Sequence, residues 1–111
     1  MVSKDLMAAS AKPLILSILA TKESYGYEII KSVKELSKDE ITWKDGTLYP
    51  VLKKLCESKL IESEWKSIDG RKRKYYKITK LGLDTLEEEK SQWKVVNNTL
   101  NSLWGNSACL N

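Results

Sequence analysis

Leu60-Ile61-Glu62-Ser63-Glu64-Trp65-Lys66-Ser67-Ile68-Asp69-Gly70-Arg71-Lys72-Arg73-Lys74-Tyr75-Tyr76-Lys77-Ile78-Thr79 is the stretch that decides the fold of this chain. The run 60–68 alternates through Ile61, Ser63 and Trp65, and the run 73–79 is patterned around Tyr75, Tyr76 and Ile78. A period of two is the period of a strand. Ser67-Ile68-Asp69-Gly70 supplies turn residues between the runs, so the stretch reads as a β-hairpin. Its second half is strongly basic: Arg71, Lys72, Arg73 and Lys74 are consecutive, and Lys77 follows. Four like charges in a row repel one another unless solvent or an anion relieves them. A nucleic-acid backbone provides that relief, with release of its counterions. The bland reading of such a run is a solvated turn. Tyr75 and Tyr76 can anchor the base of the hairpin.

Three helical patterns precede it. Segment 5–20 carries Leu14, Ile15, Ile18 and Leu19 on one face, widened by Leu16. Pro13 is awkward there, since proline breaks the hydrogen-bond ladder. Either the stable helix starts near Ser10, or it bends at Pro13. Thr21 to Ser24 reads as a connection, and a second helix spans 24–37 with Ser24 as its cap. Tyr27, Ile30, Val33 or Lys34, and Leu36 give its imperfect stripe. Ile41-Thr42-Trp43 reads as a short extended piece. The third helix is the clearest: Leu48, Val51, Leu52 and Leu55 recur at i, i+3, i+4 and i+7. Asp45-Gly46-Thr47 offers its cap, and Pro50 falls near its first turn.

After the hairpin a last helix runs from Thr79 to about Leu103. Leu86, Trp93 and Leu100 recur every seven residues, and Val96 and Leu103 fill the alternate positions. Glu89 interrupts this seam. A helix of that length after a finished domain is expected to pair with another chain. The division is therefore residues 1–79 as one domain and 80–111 as a dimerisation helix and tail, frayed from Gly105 onward. The fold class is α+β: mainly α with a small β-hairpin, a winged helix-turn-helix followed by a long C-terminal helix.

Composition limits the function. The chain has 111 residues, enough for one modest core, with 41% hydrophobic and 31% charged residues. Residues 1–80 hold 17 Lys/Arg against 11 Asp/Glu, and residues 81–111 hold 2 against 4. The basic excess thus lies in the part that would face an anion. There is no histidine, and no phosphate loop, paired-cysteine zinc motif or nucleophile elbow. Catalytic residues, metal ligands and cofactors are not expected. Cys56 reads as an apolar filler and Cys109 as part of a loose tail, in keeping with a reduced cytoplasm. No apolar run approaches the roughly 18 residues of a membrane span.

Three helices and a hairpin is the order of a winged helix, whose third helix enters the major groove of duplex DNA while the hairpin straddles the neighbouring backbone. Candidate DNA-binding residues are Thr47, Tyr49 and Lys53 at the groove and Lys54, Tyr25 and Arg71, Lys72, Arg73 and Lys74 at the backbone. Tyr25 and Tyr49 are equally readable as half-buried packing residues, and Lys53 and Lys54 as a solvated face. Core packing is the favoured reading of Trp43 and Trp65. The dimer-interface candidates are Leu86, Trp93, Val96, Leu100 and Leu103.

Three blocks carry a resemblance: Tyr25-Gly26-Tyr27-Glu28-Ile29-Ile30-Lys31, Asp45-Gly46-Thr47-Leu48-Tyr49-Pro50-Val51-Leu52-Lys53-Lys54-Leu55, and Gly70 to Thr79. Together with 60–65 they are similar, in order and spacing, to the PadR family of transcriptional regulators, and to its subgroup with a single helix after the wing. The resemblance implies a bacterial homodimeric repressor, and two winged helices related by a two-fold axis are expected to read an inverted-repeat operator. It also implies an aromatic effector, with Trp93 and its symmetry mate as a stacking platform for a planar ligand; a seam filler is the rival reading of Trp93. Gln92, Lys94 and Asn97 are more polar than a general drug pore suggests. A winged-helix protein-interaction adaptor without specific DNA binding is the alternative function.

Overall fold

A computed structural model describes residues 1–105. Its elements, in order, are α1 (Lys4–Thr21), β1 (Ser24–Tyr25), α2 (Gly26–Leu36), α3 (Asp45–Glu57), β2 (Ile61–Ile68), β3 (Arg71–Ile78) and α4 (Lys80–Trp104). This is the α+β winged-helix architecture expected from the sequence. Cys109 and the rest of the expected tail, 106–111, lie outside the described residues.

The hairpin forms where the alternation places it. β2 and β3 pair antiparallel from Ile61↔Ile78 to Ile68↔Arg71. Asp69 and Gly70 both take positive φ, 54° and 77°, as the two central residues of a primed hairpin turn do. Arg71 is therefore already in the strand, two residues earlier than the sequence pattern suggests. β1 adds a third strand, with Ser24↔Tyr76 and Tyr25↔Tyr75, giving the order β1-β3-β2. Ser24 is thus a strand residue, 1% exposed, and caps no helix. Tyr25 is the N-cap of α2 and makes no side-chain cap bond.

The helices settle the remaining ambiguities. α1 begins at Lys4, where Ser3 Oγ accepts from the Leu6 N–H at 3.2 Å, so a start near Ser10 is ruled out. Pro13 lies within the helix and leaves the Ala9 carbonyl without its usual donor. α2 buries Gly26, Ile29 and Val33, while Tyr27 and Leu36, assigned to its apolar stripe, are 66% and 79% exposed. α3 is capped by Lys44 without a side-chain bond, and Asp45 contributes charge to its first turn instead. Pro50 falls in its second turn, not its first. Residues 41–43 form no strand, but Trp43 is buried as expected.

One core unites these elements: Ile15, Leu16 and Leu19 of α1, Ile29 and Val33 of α2, Leu48, Leu52 and Leu55 of α3, Ile61 and Tyr76 of the sheet, and Leu86 of α4. Leu86 corrects the expectation for the last helix, because it is 2% exposed within a single chain and has almost no surface left for a partner. The first turns of α4 therefore belong to the winged core. Thr79 caps this helix, accepting from the Gly82 N–H at 3.0 Å and donating to the Leu60 carbonyl. Gly82 is needed for the close approach, since a Cβ there would run into the Leu60 carbonyl and lie 2.6 Å from Ile78 Cγ1. Glu89, which interrupts the apolar seam, pairs with Lys12 of α1 at 3.5 Å.

Candidate nucleic-acid interface

Burial along the wing is confined to the end near Ile61 and Tyr76, and this separates its residues by environment. Directly opposed residues of a ladder share a face. Ile61 and Tyr76 lie on the inner face and are buried; further along the same face, Trp65 opposes Lys74 and is 60% exposed. The inner face thus passes from core into an open cleft. That cleft is lined by Tyr25, Gly26 and Tyr27 at the start of α2, by Tyr49 of α3, and by Trp65 and Arg71 to Lys74 of the wing.

Tyr49 is held in place by its neighbour. A Cβ on Gly26 would collide with the Tyr49 hydroxyl and lie 2.7 Å from Cζ, so the ring rests on the bare backbone at the start of α2. Cations surround the aromatic groups. The Arg73 guanidinium sits 4.4 Å above the Tyr25 ring, which meets Tyr75 edge to face at 5.3 Å. Lys72 Nζ lies 5.7 Å from the Trp65 ring.

The positive charges of the wing are not equivalent. Lys66 bonds Glu23 at 2.6 Å, and this hydrogen bond holds its ammonium above the ordinary lysine range. Lys77 pairs with its cross-strand neighbour Glu62 at 3.5 Å. Among the described residues, Arg71, Lys72, Arg73 and Lys74 have no carboxylate within ion-pair distance. The cations near the body of the sheet are neutralised, whereas those bordering the cleft are left for an external anion.

The PadR-like family of transcriptional regulators matches residues 15–88. This span contains all of α2, α3 and the wing. The chain belongs to the PadR-like family. A transcriptional regulator of Mycobacterium tuberculosis is 32% identical over 87 residues, 78% of each protein. A PadR-like regulator from Bacillus cereus superposes with a TM-score of 0.81 at 35% identity, covering 91% of this chain and 97% of that one. A PadR family regulator from Clostridium difficile gives 0.77 at 38% identity, covering 86% and 98%.

As a PadR-like protein the chain is a DNA-binding winged-helix transcriptional regulator, and its relatives are regulators rather than enzymes. No helix among the described residues is long and apolar enough to cross a membrane. The candidate contact residues do not all gather at one place. Tyr25, Tyr49 and the four wing cations border the cleft, Lys72 and Lys74 from the inner face of the hairpin and Arg71 and Arg73 from the opposite face, where Arg73 stacks on Tyr25. Lys53 is exposed on α3, four residues after Tyr49 and so near it on the same side of the helix. Thr47 is exposed but projects about 160° around the helix from Tyr49. Lys54 borders a different depression, with Ala8, Lys12 and Ser58 between α1 and α3.

Two features of the cleft escaped the sequence. Trp65 was expected to pack and is exposed, because alternation marks a face without showing where the layer beneath it ends. Gly26 carries no hydrophobic signal, yet it seats Tyr49. Cys56 behaves as an apolar filler: it is half-buried, and burial pushes its thiol above the usual range, which keeps it protonated.

The five seam candidates are also divided. Leu86 is buried in the core at the floor of an apolar groove of about 400 Å³, and half-buried Trp93 lines the same groove with Val2, Leu6, Pro13 and Leu14. Val96 and Leu103 are exposed, at 49% and 76%, and Leu100 is half-buried.

Proposed function

We propose that this regulator is a cytoplasmic repressor that binds an inverted-repeat operator as a homodimer. In this reading α3 enters the major groove with Tyr49 and Lys53 near the bases. Arg71 to Lys74 lie along the adjoining phosphates, Tyr25 supports Arg73, and Thr47 and Lys54 occupy the far flank of α3. The observation that carries it is the set of four cations without carboxylate partners on the same cleft as Tyr49. An adaptor that bound only proteins would have no use for such a charge pattern beside a helix with the reach of α3.

The homodimer is supported by the second half of α4, where Val95, Val96, Leu103 and Trp104 are 49–76% exposed on one helix. The groove containing Trp93 lies between this helix and α1 and offers a seat for a second copy. Because Leu86 belongs to the core, dimerisation is best tested on a chain ending after Lys90, which keeps the contacts of Gly82, Leu86 and Glu89. That chain is expected to sediment as a monomer and to protect single half-sites in footprints. The full chain should protect two half-sites about one helical turn or a multiple apart. A truncated chain that still sediments as a dimer would place the interface elsewhere.

Release by a planar aromatic effector rests on the position of Trp93 at the apolar groove. Indole offers a broad surface for stacking, worth roughly 0.5–1.5 kcal/mol beyond burial. Such a ligand weakens DNA binding only by favouring one dimer geometry over another. Planar aromatic compounds are expected to quench tryptophan emission in the full chain and not in Trp93→Ala. Quenching that survives the substitution would move the ligand away from Trp93, and no quenching across a broad panel would make Trp93 a packing residue.

A further inference from the structure

We propose that Trp65 is a DNA-contact residue, whose indole packs against the deoxyribose wall of the duplex lying in the wing cleft. The proposal rests on the DNA-binding reading above and adds a non-ionic contact to it. A single exposed tryptophan on a protein surface needs no explanation by itself. Here three observations distinguish it. Trp65 continues the inner face of the wing, in line with buried Ile61 and directly across from Lys74, so it faces the cleft and not the outer side of the sheet. It shares that cleft with Tyr49, the residue of α3 seated on Gly26. Lys72 Nζ lies over one face of its ring at 5.7 Å, yet the residue is 60% exposed, so the rest of the indole is open to an apolar surface.

The chemistry of a duplex backbone matches this arrangement. Its phosphates alternate with sugars, whose C–H faces are apolar. Lys72 and Lys74 supply cations on the same strand face as Trp65, at the spacing of alternate residues. A strand that meets a phosphate with a lysine therefore presents the indole to the neighbouring sugar. Indole has few rotatable bonds, so this contact costs little side-chain entropy. Phosphate contacts depend on salt through counterion release, and burial of apolar area does not.

The difference in salt dependence gives the test. Wild type, Trp65→Ala, Trp65→Phe and Lys72→Ala are titrated with a random-sequence duplex over a range of salt concentrations. Trp65→Ala should bind about tenfold more weakly at every salt concentration with the slope unchanged. Trp65→Phe should retain most of the affinity, and Lys72→Ala should reduce the salt slope by about 0.9. Tryptophan emission should shift to the blue when wild type binds the duplex, and that shift should be absent in Trp65→Phe. The other tryptophans lie outside the cleft, Trp43 in the core and Trp93 and Trp104 on α4. Trp65→Ala binding with wild-type affinity, or an emission shift that persists in Trp65→Phe, overturns the assignment while leaving DNA binding intact. Should the alanine variant melt earlier than wild type, the emission difference between wild type and Trp65→Phe decides. Wild type that binds no duplex at all overturns both this inference and the reading on which it rests.

Discussion

Replacing Arg71, Lys72, Arg73 and Lys74 together by alanine should weaken binding to every duplex, specific or not, and flatten its salt dependence. At about 0.9 per phosphate contact, four lost contacts lower the slope by about 3.6. If each contact contributes about 1 kcal/mol at low salt, affinity falls roughly a thousandfold. Fold stability should change little, because no carboxylate among the described residues depends on these four side chains for a partner. The main structural effect is loss of the Arg73 stack on Tyr25, worth about 0.5–1 kcal/mol at an exposed site. Single substitutions at Tyr49 or Lys53 should behave differently, altering sequence preference by roughly 1–3 kcal/mol for each lost base contact. Titration at several salt concentrations with operator and random duplexes separates these effects. An unchanged slope in the fourfold variant would deny the wing its role on the backbone.

The hairpin was legible because two independent signals agreed: alternation on both strands, and a turn dipeptide, Asp69-Gly70, suited to positive φ. α3 was legible because its buried residues, Leu48, Leu52 and Leu55, fall on one helical stripe. The start of α2 was not. Its buried stripe begins at Gly26, which contributes no apolar side chain, so apolar periodicity points to Tyr27 and Leu36, which are exposed. β1 was hidden for a related reason. Two residues are too few to show a period, and Ser24 resembles a cap by chemistry although it is buried by its pairing with Tyr76. The cleft depends on both omissions, since β1 brings Tyr25 against Tyr75 and Arg73 and Gly26 admits Tyr49. Sequence periodicity identifies which face of an element is apolar. It does not identify what that face meets, and Trp65 and Leu86 exchanged their expected environments for that reason.

The environment of Leu86 has a measurable consequence. Leu86→Ala should destabilise the winged core itself by about 2–5 kcal/mol, since the residue is 2% exposed and packs within the core cluster. At roughly 4–8 °C per kcal/mol for a domain of about this size, Tm falls by at least about 8 °C. The loss should be present at every protein concentration, because the contact lies within one chain. Val96→Ala and Leu103→Ala remove exposed atoms and should leave the single chain within about 0.5 kcal/mol of wild type. If these residues join two copies, their effect is instead a weaker dependence of Tm on protein concentration, as mass action requires. Thermal melts over a wide concentration range distinguish the two behaviours. A Leu86→Ala variant that melts within a degree or two of wild type would show that the base of α4 is not part of the core. A concentration-dependent loss in that variant would return Leu86 to the seam with Trp93, Leu100 and Leu103. The expected result instead makes the first turns of α4 part of the winged domain and leaves its second half, with Val96 and Leu103 exposed, outside that core.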